Sequence, residues 1–375
     1  MVNNICIVVG EPSADLYASR IISDLLSKKP NLNIFGVGGD NMIKSGLKPL
    51  IHINQLSFMG IVEVIKNLSV IKKVLNIVER EIKSIRPDIL ILVDFPGFNL
   101  KLVGRVKKYC KKVIYFISPQ LWAWGEGRAK KIKKFVDEIL VIFPFEKDFY
   151  STKNINSIFV GHPLIEIIGK NSYHSREEFF ELHQFEISKK LIAVFPGSRY
   201  QEIKKHLPVL KEVIIKFSSI LNFNVGIAVS PAIDIGIFEQ FSSLKNVSLI
   251  TENRHNLLKH SDFAVIKSGT STIETAIFDV PMVIFYKTSW LNYNIGRHLV
   301  NIESFGMVNI VAGKKIVPEL LQNQVTPTNI INETEKILND KEKYDSIKRE
   351  LLLVKEKLGN VSTTKMVSEI ILNAC

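Results

Sequence analysis

PGSRYQEI follows the apolar run LIAVF, and SGTSTIETA follows DFAVIK. Glycine lets a backbone approach a ligand closely, and an arginine at such a turn supplies a permanent cation. A helix that starts there presents unpaired N–H groups, so both stretches suit an anion such as a diphosphate. Gly197, Ser198 and Arg199 in the first stretch, and Gly269, Thr270, Ser271 and Glu274 in the second, are the candidate contacts. Glu274 suits ribose hydroxyls, or it closes a capping box with Ser271; Ser198 and Gln201 offer the same alternative at the first turn. Neither turn is a Walker loop, and no GxGxxG opens the chain.

In the first half, GEPSAD crowds Glu11, Ser13 and Asp15 into one turn, where Ser13 or Asp15 could instead cap a helix. VDFPGFN places Asp94 at the end of an apolar run. A carboxylate there is a candidate general base, or it holds neighbouring N–H groups. SPQLWAW carries Trp122 and Trp124, with Lys130, Lys131, Lys133 and Lys134 close behind. The indoles either shape a binding wall or fill the core. No Asp-x-Asp pair and no His/Cys cluster occurs, so no metal site is predicted.

These residues need elements to position them. NICIVVG, NIFGVGG, DILILVDF, KKVIYFI and DEILVIF read as buried strands separated by helical patterns. LIAVFPG, NVGIAVS, VSLIT, DFAVIKSG and PMVIFYK repeat the scheme. Apolar strands alternating with helices predict parallel sheets covered on both faces, so the chain is α/β with two such domains in tandem. Ligands of open parallel sheets sit beyond the carboxyl ends of the strands, where the polar stretches fall. In residues 57–82, Ile61, Ile65, Leu68, Ile71, Leu75, Val78 and Ile82 form one helical stripe, the predicted core face. Val62, Val70, Val74 and Ile77 widen it beside lysines, as either a broader buried face or a surface that meets acyl chains.

The chain has 375 residues and a formal charge of +12, which suits an anionic partner. Residues 101–134 hold eleven Lys/Arg against Glu126 alone. Three scattered cysteines, Cys6, Cys110 and Cys375, fit a reducing compartment. No signal peptide and no run of about 18 apolar residues is read, so the expectation is a soluble or one-sided membrane protein.

Taken together, GEPSAD, VGGDNMIKSG, MGIVEVI, DFPGFN, SPQLWAW, FPFEKDFY, FVGHPL, PGSRYQEI, SGTSTIETA and NIVAGKKIVPELLQ resemble, in content and order, the lipid-A-disaccharide synthases. The resemblance spans about residues 5 to 325. It implies two Rossmann-like domains facing across a cleft, the B-type glycosyltransferase fold. Residues 1–165 would form the acceptor and membrane-facing domain, 166–330 the UDP-sugar domain, and 331–375 terminal helices. The implied reaction moves 2,3-diacylglucosamine from UDP to the 6-hydroxyl of 2,3-diacylglucosamine 1-phosphate (lipid X), with inversion and with neither cofactor nor metal. The implied place is the cytoplasmic face of the inner membrane, as a peripheral protein and either monomer or homodimer. By the same resemblance Asn309 joins the UDP pocket, while Glu11, Ser13, Asp15, Asn99, Pro119 and Trp122 hold lipid X and Asp94 is the base. Where relatives carry a second acid, this chain has Gly97. A UDP-sugar 2-epimerase shares the architecture but has no use for SPQLWAW, and no RNP, KH or zinc pattern supports nucleic-acid binding.

Overall fold

The computed structural model describes residues 2–56, 67–122, 126–231, 233–289, 293 and 304–374. The described chain divides into two compact units, one holding residues up to 166 and from 358 onward, the other those from 167 to 357.

The first unit is built on a seven-stranded sheet. Its strands are β1 (Asn4–Val8), β2 (Asn33–Gly38), β3 (Lys48–His52), β4 (Ile89–Val93), β5 (Lys112–Phe116), β6 (Glu138–Val141) and β7 (Ser157–Phe159). Their order is β3-β2-β1-β4-β5-β6-β7, all parallel. The second unit carries β8 (Leu191–Phe195), β9 (Asn224–Ala228), β10 (Val247–Ile250), β11 (Phe263–Lys267), β12 (Met282–Tyr286) and β13 (Glu319–Leu321). The order there is β10-β9-β8-β11-β12-β13, again parallel.

The central strands consist of ILILV and LIAVF, buried at every residue, because helices cover both faces. The edges are different. β3 is half exposed, and β7 and β13 have three residues each. The closing helices belong to different units. Pro327–Leu338 and Lys341–Lys357 lie in the second, whereas Thr363–Leu372 packs on the first helix, Pro12–Lys28, in the first.

The stripe at residues 57–82 is described from Leu68, in the helix Leu68–Ile85. Leu75, Val78 and Ile82 face the core as expected, but so does Val74, only 2% exposed. That corrects its assignment to an acyl-facing surface: Val74 sits one turn before Val78 and shares its face. Ile71, Val70 and Ile77 are half-buried, while Leu68, at 48% exposed, leaves the predicted core stripe and joins Ser69, Lys72, Lys73, Asn76 and Arg80 on the outer face. Ile61, Val62 and Ile65 lie outside the described residues.

Candidate active site

In each sheet the strand order reverses at one point, between β1 and β4 in the first and between β8 and β11 in the second. Loops leaving neighbouring strands there diverge and leave a crevice above the carboxyl ends. GEPSAD and DFPGFN leave β1 and β4. PGSRYQEI and SGTSTIETA leave β8 and β11. All four polar stretches therefore stand at the switch point of their own sheet.

In the first unit, a Cβ on Gly10 would fall 2.3 Å from the Phe95 ring, so the two loops meet only because residue 10 has no side chain. Asp94 and Phe95 both adopt left-handed backbone, with φ of 45° and 49°. Each such residue costs roughly 1–3 kcal/mol and persists only where neighbours impose it. Here Asn99 Nδ2 and the Tyr115 hydroxyl both donate to the Asp94 carbonyl, each at 2.7 Å, and the Asp94 N–H donates to Ile117 O at 3.2 Å. Burial, assisted by the negative charge of Glu11 and opposed by the Phe95 N–H, lifts the Asp94 carboxyl to about 6. A carboxylate raised towards neutrality can accept a proton from a hydroxyl more readily than one with an ordinary pKa.

Other expectations for this unit are revised. Asp15 is 2% exposed and accepts from the Gly39, Asn41 and Met42 N–H groups at 2.6, 3.1 and 3.3 Å, and from Asn41 Nδ2 at 2.9 Å. It caps the start of the helix Asp40–Lys44, so its carboxylate is occupied within the protein rather than offered to a sugar. Asn99 is fully buried and works behind Asp94, which corrects its placing among acceptor contacts. Ser13 is exposed on the first turn of Pro12–Lys28. Gly97 has nothing within 4 Å of an added Cβ, so the place of the relatives' second acid is open space.

The Trp122 loop is tied down by a residue that sequence reading passed over. Glu146, in FPFEKDFY, is buried, and its carboxylate accepts from Trp122 Nε1 at 3.3 Å, Ser118 Oγ at 3.0 Å and the Phe143 N–H at 3.2 Å. Burial drives its pKa up to about 7 despite these donors. Trp122 meets Phe145 edge to face at 5.0 Å, and the Tyr150 hydroxyl donates to Pro119 O at 3.3 Å. Trp124 lies outside the described residues.

In the second unit, the helix Tyr200–Ile215 starts after Arg199, not after Ser198, and no side chain caps it. Ser198 is exposed and is not the N-cap. Ser271 likewise forms no box with Glu274; the N-cap is Thr270 without a side-chain bond, and Thr272 Oγ1 turns back to Gly269 O at 2.9 Å. Glu274 instead lies 3.8 Å from His255 Nε2. Gly197 and Gly269 have φ of 129° and 155°, a region that L side chains rarely enter. Between the two turns, Glu202 receives Lys267 Nζ at 2.9 Å and Arg199 Nη1 at 3.5 Å. His206 braces the first turn from below: its ring nitrogens lie 2.8 Å from Pro196 O and 3.1 Å from Lys287 O.

Asn309 is corrected. It is 1% exposed; Nδ2 donates to Val317 O and Glu319 Oε1, and Oδ1 accepts from the Ile316 and Val317 N–H groups. All four hydrogen-bonding positions of the amide are filled, so its side chain is a loop anchor with nothing left for a nucleotide. Lys267, Glu202, His206 and Glu146 were not singled out in the sequence. A lysine interrupting FAVI directly before SGTS was the one available signal for Lys267. Among the described residues, no three His, Cys, Asp or Glu side chains gather as a metal-ion site.

Solved structures share this arrangement. The UDP-GlcNAc 2-epimerase from Neisseria meningitidis bound to UDP-GlcNAc matches with TM-score 0.66 and 13% identity over 98% of this chain and 99% of that one. The calicheamicin glycosyltransferase CalG4 matches with TM-score 0.64 and 13% identity over 99% and 98%. At that identity the likeness concerns the fold, which is the two-domain Rossmann-like fold of B-type glycosyltransferases and their epimerase relatives.

Sequence relatives narrow the class. The family model described as lipid-A-disaccharide synthetase matches residues 5–371. Lipid-A-disaccharide synthases from Anaeromyxobacter dehalogenans, Geobacter sulfurreducens and Coxiella burnetii are 36%, 35% and 33% identical, each over 99% of this chain and 97%, 97% and 98% of their own. The chain belongs to the lipid-A-disaccharide synthase family.

Proposed function

We propose that this chain transfers 2,3-diacylglucosamine from UDP to the 6-hydroxyl of lipid X, forming the β-1′,6-linked disaccharide 1-phosphate and releasing UDP. The observation that carries this reading is the placement of all four polar stretches at switch points, within a family match over residues 5–371. In the first unit, Asp94 removes the proton of the acceptor hydroxyl as that oxygen attacks the anomeric carbon. In the second, the bond from that carbon to the diphosphate breaks. Arg199 and the uncapped N–H groups of Tyr200–Ile215 take up the negative charge that develops on UDP. Glu274 accepts hydrogen bonds from the ribose hydroxyls in this reading. Glu11 and the Pro119–Trp122 segment serve the acceptor.

No described helix is long and apolar enough to cross a membrane. We place the protein peripherally on the cytoplasmic face of the inner membrane. Support comes from the exposed lysines 130, 131, 133 and 134 and from the basic outer face at Lys72, Lys73 and Arg80. The deciding assay is UDP release by purified protein in detergent from UDP-2,3-diacylglucosamine, with and without lipid X. Release that depends on lipid X, with a disaccharide phosphate as product, is the expected result. Release without lipid X would show hydrolysis or elimination instead.

A further inference from the structure

Charged side chains link the two turns of the second unit. Lys267 ends β11, and its side chain is 14% exposed. Its Nζ lies 2.9 Å from Glu202 Oε1, 5.3 Å from the centre of the Tyr286 ring and 3.9 Å from where a Cβ on Gly269 would sit. Glu202 Oε2 lies 3.1 Å from where a Cβ on Gly197 would sit. The spaces left by the two glycines therefore open onto the two partners of one ion pair.

Arg199 and Lys267 both approach Glu202 Oε1, whereas Oε2 is buried without a hydrogen-bond partner. The Lys267 ammonium, largely withdrawn from water, lies with Glu202 beside the start of Tyr200–Ile215, whose N-cap residue contributes no side-chain bond. Burial lowers the Lys267 pKa against the pull of Glu202. It also acts to raise that of Glu202, but Lys267 and Arg199 outweigh it and hold the carboxyl below its usual range.

We propose that Lys267 is a diphosphate-binding residue of the donor site, aimed by Glu202 and acting beside Arg199 on the leaving UDP. This rests on the donor-site reading above and adds to it a second side-chain cation. The ammonium makes charge-assisted hydrogen bonds to phosphate oxygens, and these strengthen as charge accumulates on the leaving group.

The test compares UDP with uridine, because only the phosphates should sense Lys267. Wild-type protein, Lys267→Met, Lys267→Arg and Glu202→Gln are titrated with each ligand by calorimetry, and their melting temperatures and donor kinetics are recorded. Lys267→Met should weaken UDP binding by about tenfold or more and leave uridine binding unchanged, while Lys267→Arg keeps most of the UDP preference. It should also lower kcat, since the contact tightens as the diphosphate leaves.

Glu202→Gln separates aiming from simple pairing. It should reduce the preference for UDP over uridine by less than Lys267→Met does, since the cation remains but is no longer aimed. An unchanged preference would overturn the aiming by Glu202, and an equal loss of both ligands would mark a purely structural pair. The proposal is overturned if folded Lys267→Met retains the wild-type preference, or if it loses both ligands equally with a fall in melting temperature. A wild-type protein that shows no preference for UDP would sink the donor-site reading as well, which distinguishes the two failures.

Discussion

Asp94 can act as a base only when ionised, and its surroundings resist that ionisation. Burial and the neighbouring Glu11 set its pKa at about 6, so the transfer rate should rise with pH through that value and level off above it. Glu11→Gln removes the second cause and should move the midpoint of the pH–rate profile downward; an unmoved midpoint would remove Asp94 from the role of titrating base. Asp94→Asn keeps the size of the side chain but cannot accept the proton. It should lower kcat by about 10²–10⁴ with UDP affinity unchanged, as measured by single-turnover assay and calorimetry. The same residue shows where sequence reading stops. A carboxylate at the end of ILILV is visible as a candidate, but the left-handed backbone and the two donors on its carbonyl come from residues 99 and 115. Asn99 and Asn309 look like ligand contacts in one dimension. Both prove to be internal braces, Asn99 through its burial and its bond to the Asp94 carbonyl, Asn309 through a fully bonded amide, and these are properties of the folded chain.

At the scale of elements, the legible part was the set of strands buried on both faces, since DILILV and LIAVF admit no amphipathic alternative. KPLIH, SIF and ELL escaped notice for the converse reason. Edge strands need neither length nor uninterrupted apolarity, so they leave little pattern. Glu146 is a similar case: among Phe143, Phe145 and Phe149 it reads as the polar punctuation of an aromatic helix, yet it anchors the Trp122 loop.

Its carboxyl is raised from an ordinary 4.5 to about 7, so the folded state holds a proton that the unfolded chain has released. The stability associated with that proton is fully present below about pH 4.5 and is lost as pH climbs through about 7. Glu146→Gln, which cannot titrate, should therefore show a smaller decline in melting temperature than the wild type between about pH 5 and about pH 7.5. Superimposable profiles would mean that Glu146 is not the group being titrated.

At the scale of the molecule, the charge excess concentrated in residues 101–134 bears on where the protein works. Lysines 130, 131, 133 and 134 are exposed on the helix Ala129–Phe135, whose Ala129 and Ile132 face inward. Each contributes about 1 kcal/mol near an anionic lipid surface. Replacing all four by glutamine should cut binding to anionic vesicles on the order of 10³-fold at low salt, leaving transfer in detergent intact. Equal sedimentation of wild type and variant with such vesicles would contradict the proposed location.

The return of Thr363–Leu372 to the first unit also has a consequence for biogenesis. The helix that packs on Pro12–Lys28 leaves the ribosome after the whole of the second unit has been made. At roughly 5–20 residues per second, the surface meant for it stays uncovered for on the order of 10 to 40 s. The unit begun first is thus the last to be completed. During synthesis, its waiting apolar surface is where a chaperone would find most to hold.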